Sequence, residues 1–372
     1  MKPTARILLL SAISSLPVVA APFLAIGDNA ELYLTASTQV RYEDNVGLAS
    51  DALKQDDFIY ELTPGLELVY GKKGNLKSRL NVYEQFVRYT DLSNLNAELL
   101  NIVLDSTYTG AKLSVDAEAS YRQLNQNDRG TAGAVNQRRD VTNGMLNSEY
   151  AFTAKTKAGL GFQYDETQHK NVVFRDYHSF AIPVNYFYGI TPKIDLSAGF
   201  RYRQTKVDAP NLDSEDMNFN IGSRGEFTAK LSGRVHFGYT QRESDAGADD
   251  GMIAVGTGLT YQYSPKTEFT LDVNSDFGVS ANGQTEKNFP ITLGAKTQFT
   301  EAFSGSASLR YSHILYAGSR EDDFIAAALG FSYTVNQHIG LSLTYSHENN
   351  GSNFVNSEYS ANIVSFAANF RY

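Results

Sequence analysis

Along most of this chain apolar and polar residues alternate one for one, and that rhythm limits the fold more than any other feature. In residues 193–203, Ile194, Leu196, Ala198, Phe200 and Tyr202 share one parity, while Asp195, Ser197, Gly199, Arg201 and Arg203 share the other. Successive side chains of a strand point to opposite faces, so such a stretch has one apolar and one polar face. The pattern recurs. Ala158, Leu160, Phe162 and Tyr164 oppose Lys157, Gly159, Gly161 and Gln163; Leu231, Val235, Phe237 and Tyr239 oppose Ser232, Arg234, His236 and Thr240. Phe269, Leu271, Val273 and Phe277 oppose Thr270, Asp272, Asn274 and Asp276. Helical spacing at i, i+3, i+4 does not fit these stretches.

The breaks between the runs alternate too. Short turns fall near residues 71–75, 110–111, 153–155, 190–192, 229–230, 264–267, 301–304 and 335–338. Longer polar breaks fall near 43–57, 91–96, 125–138, 169–176, 207–215, 244–249, 282–287, 318–322 and 350–356. Eight short turns and nine longer loops separate eighteen strands, within a bracket of 16–18. Short turns at one end and long loops at the other describe an outer-membrane barrel, with the short turns periplasmic and the long loops extracellular. The runs of about 11–14 residues exceed the five or six of a soluble sandwich and suffice for a tilted strand to cross a bilayer. Lipid offers no hydrogen-bond partners, so a spanning sheet must close on itself. The expected fold is therefore all-β, a transmembrane up-and-down antiparallel β-barrel.

Residues 1–21 read as a secretory signal peptide: Lys2 and Arg6 precede an apolar run from Ile7 to Leu16, and Ala20 and Ala21 end it. Residues 22–372 then form the barrel domain. No other stretch holds the roughly 18–20 apolar residues of a spanning helix, and mean hydropathy is −0.32. With no cysteine, the chain has no disulfide framework and no thiolate chemistry. A net charge of −9 and a pI near 5.2 argue against nucleic-acid binding. The 23 Tyr and 22 Phe, with no Trp, supply two aromatic girdles. Phe58, Tyr60, Tyr177, Phe219, Phe289, Phe324 and Tyr359 would form the outer one; Tyr70, Tyr108, Tyr188, Tyr261, Tyr263, Phe299, Tyr333, Phe370 and Tyr372 the inner one. Asp56-Asp57-Phe58-Ile59 recurs as Asp322-Asp323-Phe324-Ile325, each where a long loop re-enters the membrane.

The last strand places Phe366, Ala368, Phe370 and Tyr372 on one parity. This resembles the C-terminal signature read by the barrel-assembly machinery of Gram-negative bacteria. Val40-Arg41-Tyr42-Glu43-Asp44-Asn45-Val46 and Asp57-Phe58-Ile59-Tyr60-Glu61-Leu62-Thr63-Pro64-Gly65-Leu66 resemble the putative beta-barrel porin 2 family. That resemblance implies an outer-membrane barrel with a loop between these motifs, and an association with surface polysaccharide production. Pro64 is acceptable in such a strand at a bulge or where no ladder donor is needed.

Neither a metalloprotease HExxH, a GxSxG elbow nor a P-loop is present. Tyr311-Ser312-His313 and Tyr345-Ser346-His347 repeat, but neighbouring strand residues face opposite sides, so Ser312 cannot easily contact His313. The reading is therefore a non-enzyme with no cofactor and no metal. Barrels of 16–18 strands enclose an aqueous channel. The polar parity suggests a mixed lumen with basic residues ahead, favouring anionic solutes. Arg201, Arg203, Arg234 and Arg310 are the expected pore-lining residues, and Tyr33 and Tyr83 are candidates to stack on sugar rings. Loops 43–57 and 125–138 are long enough to fold inward and narrow the pore. The leading function is a porin-like passive channel for small hydrophilic or saccharide solutes in the outer membrane of a Gram-negative bacterium. Its partners would be outer-membrane lipid, lipopolysaccharide and, during biogenesis, the assembly machinery. The alternatives are a non-conducting surface barrel acting as adhesin, receptor or structural protein, and a barrel enzyme.

Overall fold

A computed structural model describes residues 21–127, 136–210, 212–245 and 249–372. The signal-peptide expectation thus falls almost wholly outside the described residues. The strands are β1 (Leu24–Ile26), β2 (Ala30–Glu43), β3 (Asp57–Tyr70), β4 (Leu76–Tyr89), β5 (Ala97–Thr109), β6 (Leu113–Asn127), β7 (Asn136–Ala151), β8 (Thr156–His169), β9 (Tyr177–Gly189) and β10 (Ile194–Val207). They continue as β11 (Ser214–Glu226), β12 (Leu231–Ser244), β13 (Asp250–Ser264), β14 (Thr267–Asn274), β15 (Asp276–Val279), β16 (Thr285–Gln298), β17 (Phe303–Tyr316), β18 (Glu321–Thr334), β19 (Ile339–Ser352) and β20 (Tyr359–Arg371). From β2 onward each strand is antiparallel to its neighbour, and β20 returns to β2, from Thr35↔Arg371 to Glu43↔Ile363. Reciprocal backbone bonds between Leu34 and Tyr372, 2.6 and 2.9 Å, complete the closure. Because β14 and β15 are two segments of one wall strand and β1 is a short addition on β2, the ring has eighteen strands, as expected.

Period-two alternation does what lipid demands. Leu271, Leu293 and Leu309 stand side by side on β14, β16 and β17 and face outward. Across the same strands Thr270, Gly294 and Ser308 face inward. Tyr70, Tyr108, Tyr188, Tyr261, Tyr263, Phe299, Tyr333, Phe370 and Tyr372 are exposed on the outer surface near the short-turn end, forming the inner girdle. In the first short turn Lys72 reaches Glu31, and that hydrogen bond holds its ammonium above the ordinary lysine value.

The outer girdle is only partly as expected. Phe58, Tyr60 and Phe219 lie outside, but Phe324 and Tyr359 turn inward and pack with Ala326 and Leu48. The two Asp-Asp-Phe-Ile copies are therefore out of phase. Phe58 is 50 % exposed and Phe324 1 %, whereas Ile59 is buried and Ile325 exposed. The reason lies in which acid each copy turns inward. In the first it is Asp57, which accepts from the Leu92 and Asp91 amides at 2.7 and 3.1 Å. In the second it is Asp322, which accepts from Arg320 and Ser352.

Three strand prolines coincide with gaps in the ladder. The β3–β4 register skips between Leu62 and Gly65, around Pro64. The β8–β9 register skips between Ala181 and Val184, around Pro183. Pro290 sits where β16 passes from β14 to β15. Proline brings no ladder donor, so each lies where none is used. Replacing outward Leu293 by Arg should destabilise the barrel by about 2–4 kcal/mol, whereas inward Thr292→Arg should cost far less. Urea titration in lipid vesicles measures both.

Candidate functional site: the lumen of the barrel

Charge inside the barrel is unevenly spread: Asp195 and Asp216 stand among the bases of β10–β12, and Arg41, Arg79 and Arg122 among the acids of β2–β7, but the excess differs in sign. The inward parity of β10–β12 carries Arg201, Arg203, Arg224, Arg234, His236 and Arg242. The inward parity of β2–β7 carries Glu31, Glu61, Glu67, Asp116, Glu118 and Glu149. The lumen is therefore mixed in sign and polarised from one side to the other.

Near the short-turn end, Arg224 donates to Glu149 at 2.7 and 2.9 Å and to Asp195 at 3.0 Å. Lys157 donates to the same Asp195 at 2.9 Å, and the Arg224 guanidinium lies 3.5 Å from the Phe187 ring centroid. Glu149 is on β7 and Arg224 on β11, so the pair bridges strands that are not neighbours and must cross lumen space. Arg234 stands directly opposite Arg224 in the β11–β12 register. It borders, with Lys157, Asp195, Arg224 and Asp272, a recess of about 720 Å³. Arg310 lies on β17, inward, beside Thr292. The four arginines thus do not form one ring: Arg201 and Arg203 lie together toward the loop end, Arg234 lies nearer the turns, and Arg310 is on the far wall. Tyr33 faces inward under Arg371, whose guanidinium lies 3.5 Å from the ring centroid and donates to Glu67 at 2.6 Å. Tyr83 faces inward from β4, opposite Gly65.

Toward the loop end a second cluster fills the wall. Arg201 holds Asp276 through two bonds of 2.8 Å. Arg203 donates to Asp216 at 2.6 Å, to Asp276 at 3.1 Å and to the Phe277 carbonyl at 3.1 Å. Arg242 donates to both oxygens of Asp216 at 2.6 and 2.8 Å. Asp216 is fully buried, and forked guanidinium–carboxylate pairs of this kind are the geometrically strict ones. The aspartate that completes the cluster, Asp276, comes from β15, which stays paired with β16 but parts from β13. Beyond Gly256↔Asn274 the β13–β14 ladder stops. Phe277, expected to face lipid, is instead 3 % exposed, with the Arg242 guanidinium 4.5 Å from its ring centroid. Alternation is a local signal, and it cannot register three arginines more than thirty residues away.

One further segment narrows the mouth. Loop 44–56 folds inward: Val46 packs with Ile59, Val87, Ala97 and Leu99, and its carbonyl accepts from Asn127 at 2.8 Å. At the β5–β6 seam, pairing starts only at Asn101↔Arg122. Outside it, side-chain amides replace the ladder: Gln123 accepts from Leu100 N at 3.0 Å and Asn125 donates to Leu95 O at 2.9 Å. Most of loop 125–138 lies outside the described residues. The repeated Tyr-Ser-His motifs are built alike. Tyr311 Oη and His313 Nδ1 converge on Asp323, as Tyr345 Oη and His347 Nδ1 do on Asn362. Ser312 points inward to Asn288, away from His313, so no serine–histidine pair forms.

The family profile described as putative beta-barrel porin 2 matches residues 32–372. The chain belongs to this family. It is an outer-membrane β-barrel of the porin type, and its family is one of channels, not enzymes. No curated protein matches it. Among solved structures, the outer membrane protein OpdK of Pseudomonas aeruginosa is similar at 12 % identity and a TM-score of 0.50, over 92 % of this chain and 99 % of that one. OccK2 (OpdF) of Pseudomonas aeruginosa, in complex with glucuronate, is similar at 9 % identity and a TM-score of 0.51, over 92 % and 98 %. At such identities the likeness is one of fold, and that fold is the outer-membrane porin's.

Removing one member of the buried cluster should expose its importance. Asp216→Ala leaves Arg242 and Arg203 without their buried counter-ion, which should cost about 3 kcal/mol, and adding Arg242→Met should recover part of it. Urea midpoints of the single and double variants measure the difference.

Proposed function

We propose that this protein is a passive channel for small hydrophilic solutes, saccharides included. The observation that carries this reading is a closed eighteen-strand ring whose interior is lined by opposed walls of fixed charge. Rings of this strand number are wide enough to hold water. A transverse field between an acidic and a basic wall orients polar solutes and admits both ion signs along separate tracks. Arg201, Arg203 and Arg234 would line the basic track, and Arg310 the facing wall. Inward Tyr33 and Tyr83 offer flat faces to sugar rings. A role in moving saccharides linked to surface polysaccharide fits this lining.

The remaining assignments belong to the same reading. Residues 1–21 would direct export and be removed. The outward Phe366, Phe370 and Tyr372 would be read by the assembly machinery, and the outward girdles would sit against lipid and lipopolysaccharide. A non-conducting surface barrel is the second reading, favoured by loop 44–56 and β15 lying across the mouth.

Single-channel recording of the purified, refolded protein in planar bilayers separates the two. The expected result is a discrete conductance, with sugar permeation in liposome-swelling assays. A replacement of Arg201, Arg203 and Arg234 by Ala should shift permeability toward cations. A protein that inserts and folds yet neither conducts nor swells liposomes would establish the non-conducting barrel.

A further inference from the structure

The segment that parts from β13 is built to return to it. β15 keeps the register on β16 that β14 has: Val273 faces Ile291 and Asp276 faces Asn288, with no residue inserted between them. The break is therefore a change of direction, not a bulge. On the other side, no strand pairs with β13 beyond Gly256↔Asn274, and Ser275 and the Lys287 side chain cap that edge instead. Ser275 N donates to Val255 O at 2.9 Å, Ser275 Oγ accepts from Val255 N at 2.7 Å and donates to Ile253 O at 3.1 Å, and Lys287 Nζ donates to Gly251 O at 3.3 Å. Continuing the β13–β14 register would set Ser275 against Val255, Phe277 against Ile253 and Val279 against Gly251. In that arrangement Phe277 and Val279 fall on the lipid parity, which is what their place in the alternating sequence specifies. The sequence thus encodes a wall strand where the structure shows a tucked one.

What holds β15 inward is a set of contacts to the opposite side of the seam. Arg201 and Arg203 take Asp276; Arg203 takes the Phe277 carbonyl; Arg242 takes the Gly278 carbonyl at 3.3 Å; and just beyond β15, Arg175 N takes the Ala281 carbonyl at 2.9 Å. Three guanidiniums, Arg201, Arg203 and Arg242, converge there on the carboxylates of Asp216 and Asp276. The two parallel bonds between Arg201 and Asp276 are the fork geometry by which a guanidinium binds any carboxylate.

We propose that β15 is a displaceable strap, and that the Arg201–Arg203 pair is a binding site for small carboxylate-bearing solutes that Asp276 occupies in their absence. A solute carboxylate takes the Asp276 position, and β15 swings onto the capped edge of β13, completing the wall and clearing the mouth. The solute favours the cleared state because only there are both guanidiniums available to it. This rests on the channel reading for its purpose, but the movement is tested without it.

The natural chain has no cysteine, so an Ile253→Cys/Phe277→Cys variant reports the swing directly. Ile253 is exposed on the outer face and Phe277 is buried inside, and the pair is opposed only when β15 lies on β13. Gluconate should speed disulfide formation about tenfold, whereas sorbitol, its uncharged counterpart in size, should not. Adding Asp276→Asn should make the disulfide form fast without gluconate. Bilayer conductance of the cysteine-free protein should step up with gluconate, and Asp276→Asn should show the larger state from the outset. A disulfide rate unmoved by both gluconate and Asp276→Asn overturns the strap, and a normal conductance beside it leaves the channel standing. A gluconate-dependent disulfide in a protein that does not conduct upholds the strap and refutes the channel.

Discussion

Backbone amides and carbonyls have no partner in hydrocarbon, and this one constraint organises the whole molecule. It requires every strand edge to be paired, and a ring is the arrangement that leaves none open. Around that ring each strand spends its outward parity on lipid and its inward parity on water. The departures from the ladder obey the same rule. Where Pro64, Pro183 and Pro290 bring no donor, none is required. Where pairing stops at the loop end, between β5 and β6 and between β13 and β15, Gln123, Asn125, Ser275 and Lys287 side chains supply the missing bonds. Both seams lie toward the loops, where water can reach the backbone, and the ring stays continuous toward the turns.

A polar interior brings its own problem, since charges lining a narrow space attract or repel strongly at low effective dielectric. The chain solves it by giving the two walls opposite excesses of charge and by pairing the buried members. Asp216 is enclosed and touches two guanidiniums; Asp195 is shared by Arg224 and Lys157. What remains unpaired in sign is spread over surfaces that a solute would meet.

Strand number, turn placement and the outward face were legible because each follows from a period of two and from the closure it enforces. Leu271 is placed correctly by parity alone, and Leu293 and Leu309 stand beside it on the outer face. The inner girdle was legible because short turns leave little room to shift phase. The outer end was not. Asp57 and Asp322 both turn inward, yet one is the second acid of its pair and the other the first, so Phe58 and Phe324 end on opposite faces. Phe277 follows the local rhythm and is overruled by Arg203 and Arg242, residues that only the curvature of the wall brings near. The distribution of charge between walls was likewise invisible, because it depends on which strands face each other across the lumen.

The bonds between Leu34 and Tyr372 join positions more than three hundred residues apart, and β2 has β20 as its second neighbour. Until β20 arrives, β2 presents an uncovered row of donors and acceptors and the sheet has two free margins. The barrel is therefore sealed only when β20 meets β2, and β20 is its clasp. An exported chain must be escorted in an unassembled form until that clasp is delivered. Damage to β20 would then release not a weakened pore but an unsealed ribbon, a target for envelope proteases and a seed for edge-to-edge aggregation.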